Sequence, residues 1–219
     1  MKAFVAGATG ETGRRIVQEL VVRNIPVIAL VRDIDKARSI LSPEAELVIG
    51  DVLQPESLTA AFGDSTVLLV ATGAKPSFDP SGPYKVDFEG TKNLVDAAKA
   101  KGIKHFVLVS SLCTSKLFHP LNLFWLILLW KKQAEEYIQK SGLTYTIVRP
   151  GGLKNEDNSD HIVMQSADTL FDGSIPRQKV AQVAVEALFE ADARNKIVEI
   201  IAKPEAASKT FGELFANVV

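Results

Sequence analysis

The sequence predicts an α/β fold: one doubly wound domain whose sheet is mostly parallel. Apolar runs alternate with helix-patterned stretches through the first two thirds of the 219 residues, as parallel strands joined by crossover helices require. The composition, 47% hydrophobic with a net charge of -1, suits a single buried core of that size. Gly7, Gly10 and Gly13 stand directly between the first apolar run and the first helical pattern.

Strands are expected at Lys2 to Ala6, Pro26 to Val31, Ala45 to Ile49, Thr66 to Val70, His105 to Val109, Thr144 to Val148 and Ile197 to Ile201. The clearest helices are Thr12 to Arg23, Tyr84 to Lys101, Lys131 to Lys140 and Lys179 to Ala191, each with apolar residues at helical spacing. Three connections, Thr72 to Gly82, Ser110 to Asn122 and Gly151 to Pro176, lack periodicity and all follow strands. In a doubly wound sheet the carboxyl ends of the strands form the ligand crevice, so these connections are expected to build a substrate pocket. Residues 1–150 then read as a cofactor-binding core and 151–219 as a smaller substrate-side portion, within one domain.

The charge balance offers no footprint for nucleic acid, and no basic tract is present. No signal or transit peptide is expected, because the first strand begins at Lys2 without a charged or apolar leader. The single cysteine, Cys113, excludes an internal disulfide. His105, His119 and His161 are too dispersed to suggest a metal site, and none is expected.

The segment Gly7, Ala8, Thr9, Gly10, Glu11, Thr12, Gly13 fits a dinucleotide-binding turn. Such a turn must be tight, must let the backbone approach a pyrophosphate, and must aim helix N-terminal amides at that anion. The flanking strand and helix supply the context that makes the motif specific, and the fold reads as Rossmann-like. Nineteen residues beyond Gly13, where an NAD site would carry a carboxylate, stands Arg32. A guanidinium there suits a 2′-phosphate, so NADPH/NADP+ is the expected cofactor. Lys36 and Arg38 on the next helix either add charge to that anion or form a solvated face; Asp33 would favour NAD if it turned inward. Asp51 and Val52 follow the third strand, where the carboxylate can bind the adenine amino group and the valine can pack on the ring. Asp51 serves equally well as a turn cap. Ala71, Thr72 and Gly73 end the fourth strand with small residues that let the backbone lie under the nicotinamide ribose.

With Ser110-Ser111, Lys131-x-x-Ala134-Glu135 and Arg149-Pro150-Gly151-Gly152-Leu153 added, the whole chain resembles the atypical, NmrA-like short-chain dehydrogenase/reductases. Gly50-Asp51-Val52-Leu53-Gln54 and Ser141-Gly142-Leu143-x-Tyr145 make it similar to small cyanobacterial and plastid members and to the biliverdin reductase B and flavin reductase group. The resemblance implies cofactor contacts from Pro150, Gly151, Gly152 and Lys131, with Ser111 and its neighbour Ser110 beside the substrate. Both serines can equally satisfy backbone groups at a strand end. It also implies a monomer in a cyanobacterial-type cytosol, or in the plastid stroma after removal of a transit peptide. Lys131 and Gly152 stand where the animal enzymes have histidines, so those substrate contacts do not carry over.

Tyrosine-dependent relatives use Tyr-x-x-x-Lys, in which the phenol protonates a carbonyl oxygen. Here the residue four before Lys131 is Ile127, and Tyr84, Tyr137 and Tyr145 are followed at that spacing by Phe88, Ser141 and Arg149. Alcohol and ketone interconversion therefore lacks its proton donor, a loss of about a hundred-fold or more. Hydride transfer to an extended conjugated system needs position more than reactive groups. A planar acceptor such as biliverdin, FMN or a quinone fits, with catalytic roles expected for Ser111, Ser110 and Lys131. The eight apolar residues Leu123 to Trp130 are too few to span a bilayer. They read as a buried helix start, as a wall for a flat acceptor, or as an interfacial anchor. A non-catalytic NADPH sensor or assembly factor is the alternative function.

Overall fold

A computed structural model describes residues 1–74, 79–123 and 125–219. Residues 75–78 of the connection after the fourth strand, and Phe124 in the apolar segment, lie outside the described residues. The first six strands are β1 (Ala3–Ala6), β2 (Val27–Val31), β3 (Glu46–Ile49), β4 (Val67–Val70), β5 (His105–Val109) and β6 (Tyr145–Pro150). The later ones are β7 (Gly152–Lys154), β8 (His161–Ser166), β9 (Ser174–Pro176) and β10 (Lys196–Lys203). The main sheet has the order β3-β2-β1-β4-β5-β6-β10-β8, and only β8 runs antiparallel, against β10. A short parallel pair, β7 with β9, stands apart from it.

The central strands are buried on both faces, which is why they read as unbroken apolar runs. On one face α1 (Glu11–Val22) and α6 (Arg177–Glu186) lay Ile16, Val17, Leu20, Val180 and Val183 against Val5, Ala29 and Val107. On the other, α3 (Pro55–Ala61), α4 (Gly90–Lys101) and α5 (Ile127–Lys140) pack Leu58, Leu94 and Ile138 against Phe4, Leu68 and Phe106. Phe4 stacks on Phe62 with ring centroids 4.2 Å apart.

Several expectations need correction. The connection Gly151 to Pro176 is not irregular: it holds β7, β8 and β9, and β8 joins the main sheet. The helix expected from Tyr84 begins as a π-helix, Tyr84–Glu89, and becomes α-helical only from Gly90. The helix expected from Lys131 starts at Ile127, because Asn122 Oδ1 accepts the amides of Leu128 (2.9 Å) and Leu129 (3.3 Å). Short helices α2 (Ile34–Arg38), α3 and α7 (Phe211–Ala216) were not expected.

Leu123 to Trp130 divides in two. Leu128 is buried with Leu112 and Ile201, and Trp130 meets the edge of Tyr84 at 4.9 Å, so the second half is a helix start packed into the fold. Before it, Phe118 and Leu123 are 98% and 85% exposed, with Leu117, Leu121, Trp125 and Leu126 exposed beside them. Among the described residues no helix is long and apolar enough to cross a membrane.

Candidate functional site

A cleft of about 400 Å³ opens over the carboxyl ends of β1 to β4. Gly7, Thr9, Gly10, Arg32, Asp51, Val52 and the run Ala71 to Ala74 line it. Gly7 has φ +80°, and a Cβ there would lie 2.6 Å from the Ala71 carbonyl. A Cβ on Gly13 would meet the Gly7 carbonyl oxygen at 2.0 Å, so α1 can begin this close to β1 only with glycine at that place. Gly10 caps α1 without any side-chain hydrogen bond, which leaves the first amides of the helix for a ligand. The Thr72 Oγ1 atom is buried and has no partner among the described residues. A bare helix terminus, a turn cleared of Cβ atoms and an orphaned hydroxyl in one cleft are what a bound dinucleotide would complete.

Arg32 is exposed on the cleft wall, whereas Asp33 is occupied as the cap of α2, accepting the Lys36 amide at 3.0 Å. The inward carboxylate that would have argued for NAD is thus absent from the cleft wall. Lys36 and Arg38 are exposed and do not line the cleft; Arg38 faces Asp35 at 3.5 Å. Asp51 Oδ1 accepts the Leu53 amide at 2.9 Å, so it holds its own turn while still lining the cleft. Glu11 is engaged by Arg14 (2.6 Å) and Arg15 (3.0 Å), with Arg15 foremost in holding its carboxyl below the usual range.

Lys131 reaches across from α5 to the π-helix, where its Nζ donates to Asp87 Oδ1 at 2.7 Å. Asp87 is 3% exposed, and its Oδ2 accepts the Ala74 amide at 3.2 Å. One carboxylate therefore ties the lysine to the backbone expected beneath the nicotinamide ribose. Asp87 escaped the sequence reading, because it lies 44 positions from Lys131 along the chain.

A second cavity, of about 380 Å³, lies over the ends of β5 and β6, beside the first. Ser110, Ser111, Cys113, Pro150, Gly151, Gly152, Phe171 and Arg177 are among its walls. Ser111 is half-buried there. Ser110 is instead committed to the interior, donating to Glu135 Oε1 at 2.6 Å. Burial pushes the Cys113 thiol up, and the thiol donates to the Phe171 carbonyl at 3.2 Å, so it is a neutral wall.

Beneath this cavity lies an ionic cluster. Arg149, fully buried on β6, makes a two-pronged contact with Glu135 (Nε 3.0 Å, Nη2 2.7 Å). Its Nη1 reaches Asp168 at 2.8 Å and Glu199 at 3.1 Å. Glu199 also accepts the amides of Asp168, Thr169 and Leu170 at 2.9, 3.0 and 2.7 Å, which offsets the excess negative charge. Burial works against the arginine's charge, but the carboxylates, Glu135 first, outweigh it and raise its pKa. Because Glu135 lies one turn beyond Lys131 on α5, the cluster also fixes how the lysine is presented. Among the described residues no group of His, Cys, Asp or Glu is arranged to hold a metal.

Comparison with known proteins agrees with this geometry. The sequence profile of the NAD(P)H-binding family matches residues 7–191. An uncharacterized chloroplastic protein of Arabidopsis thaliana is 48% identical over 230 residues, covering 99% of this chain and 82% of that protein. Sanguinarine reductase of Eschscholzia californica is 31% identical over 263 residues, covering 100% and 96%. A Bacillus halodurans structure described as an NAD-dependent epimerase/dehydratase superposes with a TM-score of 0.87 at 25% identity, covering 99% of each chain.

Proposed function

Because the chain belongs to the NAD(P)H-binding family of atypical short-chain dehydrogenase/reductases, we propose that it is an NADPH-dependent reductase delivering hydride to a flat conjugated acceptor. Biliverdin and FMN are the named candidates, as in the biliverdin reductase B and flavin reductase group, with a quinone-like acceptor as the third. The observation that carries this reading is the second cavity, with Ser111 and Phe171 in its walls, beside a dinucleotide cleft, in a chain whose Lys131 has no tyrosine four residues before it. The plastid stroma or a cyanobacterial cytosol, and a monomeric state, complete the proposal; the chloroplastic Arabidopsis relative supports the first.

Bound reduced nicotinamide would supply the hydride. The protein's part is placement. The glycine turn and the start of α1 hold the pyrophosphate, and Arg32 takes the 2′-phosphate. Lys131, steered by Asp87, hydrogen-bonds the nicotinamide ribose and transfers no proton. Ser111 hydrogen-bonds the acceptor, whose π-system spreads the incoming negative charge until a proton arrives from water or that hydroxyl.

Oxidation of NADPH with biliverdin, FMN and a quinone side by side tests the reaction. At least one acceptor should accelerate it, with deuterium from the transferring face of the cofactor appearing in product. Tight NADPH binding with no acceleration by any of them would replace this reading with the sensor or assembly-factor function that the missing tyrosine also permits. Cofactor choice has its own test. NADPH should bind more tightly than NADH, and Arg32→Asp should flatten or reverse the ratio in a fluorescence titration; equal affinities in the unmodified protein would count against Arg32.

A further inference from the structure

Arg177 opens α6 at the place where the second cavity meets the start of α1. Its Nε donates to Asn155 Oδ1 at 2.8 Å and its Nη1 lies 3.4 Å from Thr12 Oγ1, both uncharged oxygens. Several arginines of the fold find carboxylates: Arg23 has Glu19 and Glu186, Arg15 has Glu11, and Arg149 has three, whereas Arg32 and Arg194, like Arg177, have no ion pair among the described residues. A guanidinium carries five N–H groups in a planar fork that matches carboxylate or phosphate. Among the described residues Nη2 has no partner for either of its own.

The setting makes that vacancy costly for a cation. Arg177 is half-buried; burial depresses its pKa, and the charge of Arg15 adds to the effect against the pull of Glu11. Asn155 fixes the fork from below while its carbonyl accepts from Arg15 at 3.1 Å, so the two cations share one neutral support. Asp172 is the carboxylate in the cavity wall, outside ion-pair distance of Arg177, and Lys116 sits 4.1 Å over the ring of Phe171, another wall residue. It lines this cavity and not the dinucleotide cleft.

We propose that Arg177 binds a carboxylate or phosphate carried by the acceptor, so that the substrate is a planar organic anion. This rests on the reductase reading for the identity of the cavity's occupant. Because Thr12 belongs to the start of α1, a cofactor phosphate is the competing source of the anion, and the test separates the two.

The full chain saturated with NADP+ is titrated with biliverdin and with its dimethyl ester, and with FMN and riboflavin, following tryptophan fluorescence. Each pair shares its ring system and differs in the anionic group. The anion of at least one pair should bind about tenfold to a hundredfold more tightly, the scale of a charge-assisted, two-pronged contact. Arg177→Met should erase the preference, Arg177→Lys should restore part of it, and the NADPH affinity of both should stay within about twofold. Equal binding within both pairs, or no binding of any of the four, overturns the proposal. So does an Arg177→Met protein that keeps the preference but loses NADPH affinity, since the guanidinium would then serve the cofactor. These titrations need no turnover. A preference without NADPH oxidation would defeat the reductase reading and leave the anion site standing.

Discussion

Ser110 and Ser111 are neighbours with opposite surroundings. Removing the Ser110 hydroxyl takes a donor from the buried Glu135 carboxylate, and Ser110→Ala should cost about 1–3 kcal/mol in urea unfolding. Ser111→Ala should leave unfolding unchanged and slow acceptor turnover, modestly if the hydroxyl only orients and severely if it relays the proton. Interchanged results would mean that the roles are interchanged. His105 gives a pH dependence. It is 5% exposed, with Nε2 2.9 Å from Thr146 Oγ1, and burial, aided by Arg194, lowers its pKa from 6.5 to about 4. The neutral ring is the folded form. Its contribution is complete above pH 6.5 and is lost as pH falls toward 4, by up to about 3 kcal/mol. Unfolding free energies at pH 7 and pH 4.5 should therefore differ less in His105→Gln than in the parent; equal declines would exclude the histidine as the cause.

The turn between β1 and α1 shows how one missing methyl group sets an element's position. Gly13→Ala would force the start of α1 off the Gly7 carbonyl, at a cost of about 1–3 kcal/mol and most of the NADPH affinity. A Gly13→Ala protein with unchanged affinity would show that the strand and helix can part without disturbing the cleft. This turn was legible because its chemistry is local: three glycines, a strand before and a helix after. The seven expected strands are present, the central ones for a similar reason, since burial on both faces demands runs such as Val27–Val31, while β3 at the sheet edge is only partly buried. β8 was illegible. Its six residues lie at the sheet edge, follow the polar stretch 154–160, and alternate too weakly to stand out. α2 and α3, five and seven residues long, are shorter than the window over which helical spacing shows. α7 carries a signal that went unread: Thr210 and Glu213 form a capping box. In the site, Arg32 and the glycines could be read from position along the chain. The Asp87–Lys131 and Arg149–Glu199 pairs join residues 44 and 50 positions apart, and only the sheet order brings them together.

At the scale of the whole molecule, the two cavities divide the sheet between them. The dinucleotide cleft uses the ends of β1 to β4, while the second cavity depends on β5, β6 and the segment from Phe171 to Arg177. Of the exposed apolar residues Leu117, Phe118, Leu121, Leu123, Trp125 and Leu126, Leu121 enters the wall of that second cavity. Its buttress is completed late in the chain: β10 is the last strand in sequence, yet it lies inside the sheet between β6 and β8. This order has a consequence in time. A polypeptide leaving the ribosome holds every strand of the cleft once residue 70 has emerged, and β5 beside them by residue 109, but β8 has no neighbour, and Arg149 no Glu199, until residues 196–203 follow. Cofactor could thus capture the growing chain well before its second cavity exists, and NADPH would act as a folding template for the remainder. Proteolysis of chains stalled at successive lengths should find β1 to β5 protected first, earlier when NADPH is present, and β8 protected only after β10 has cleared the exit tunnel.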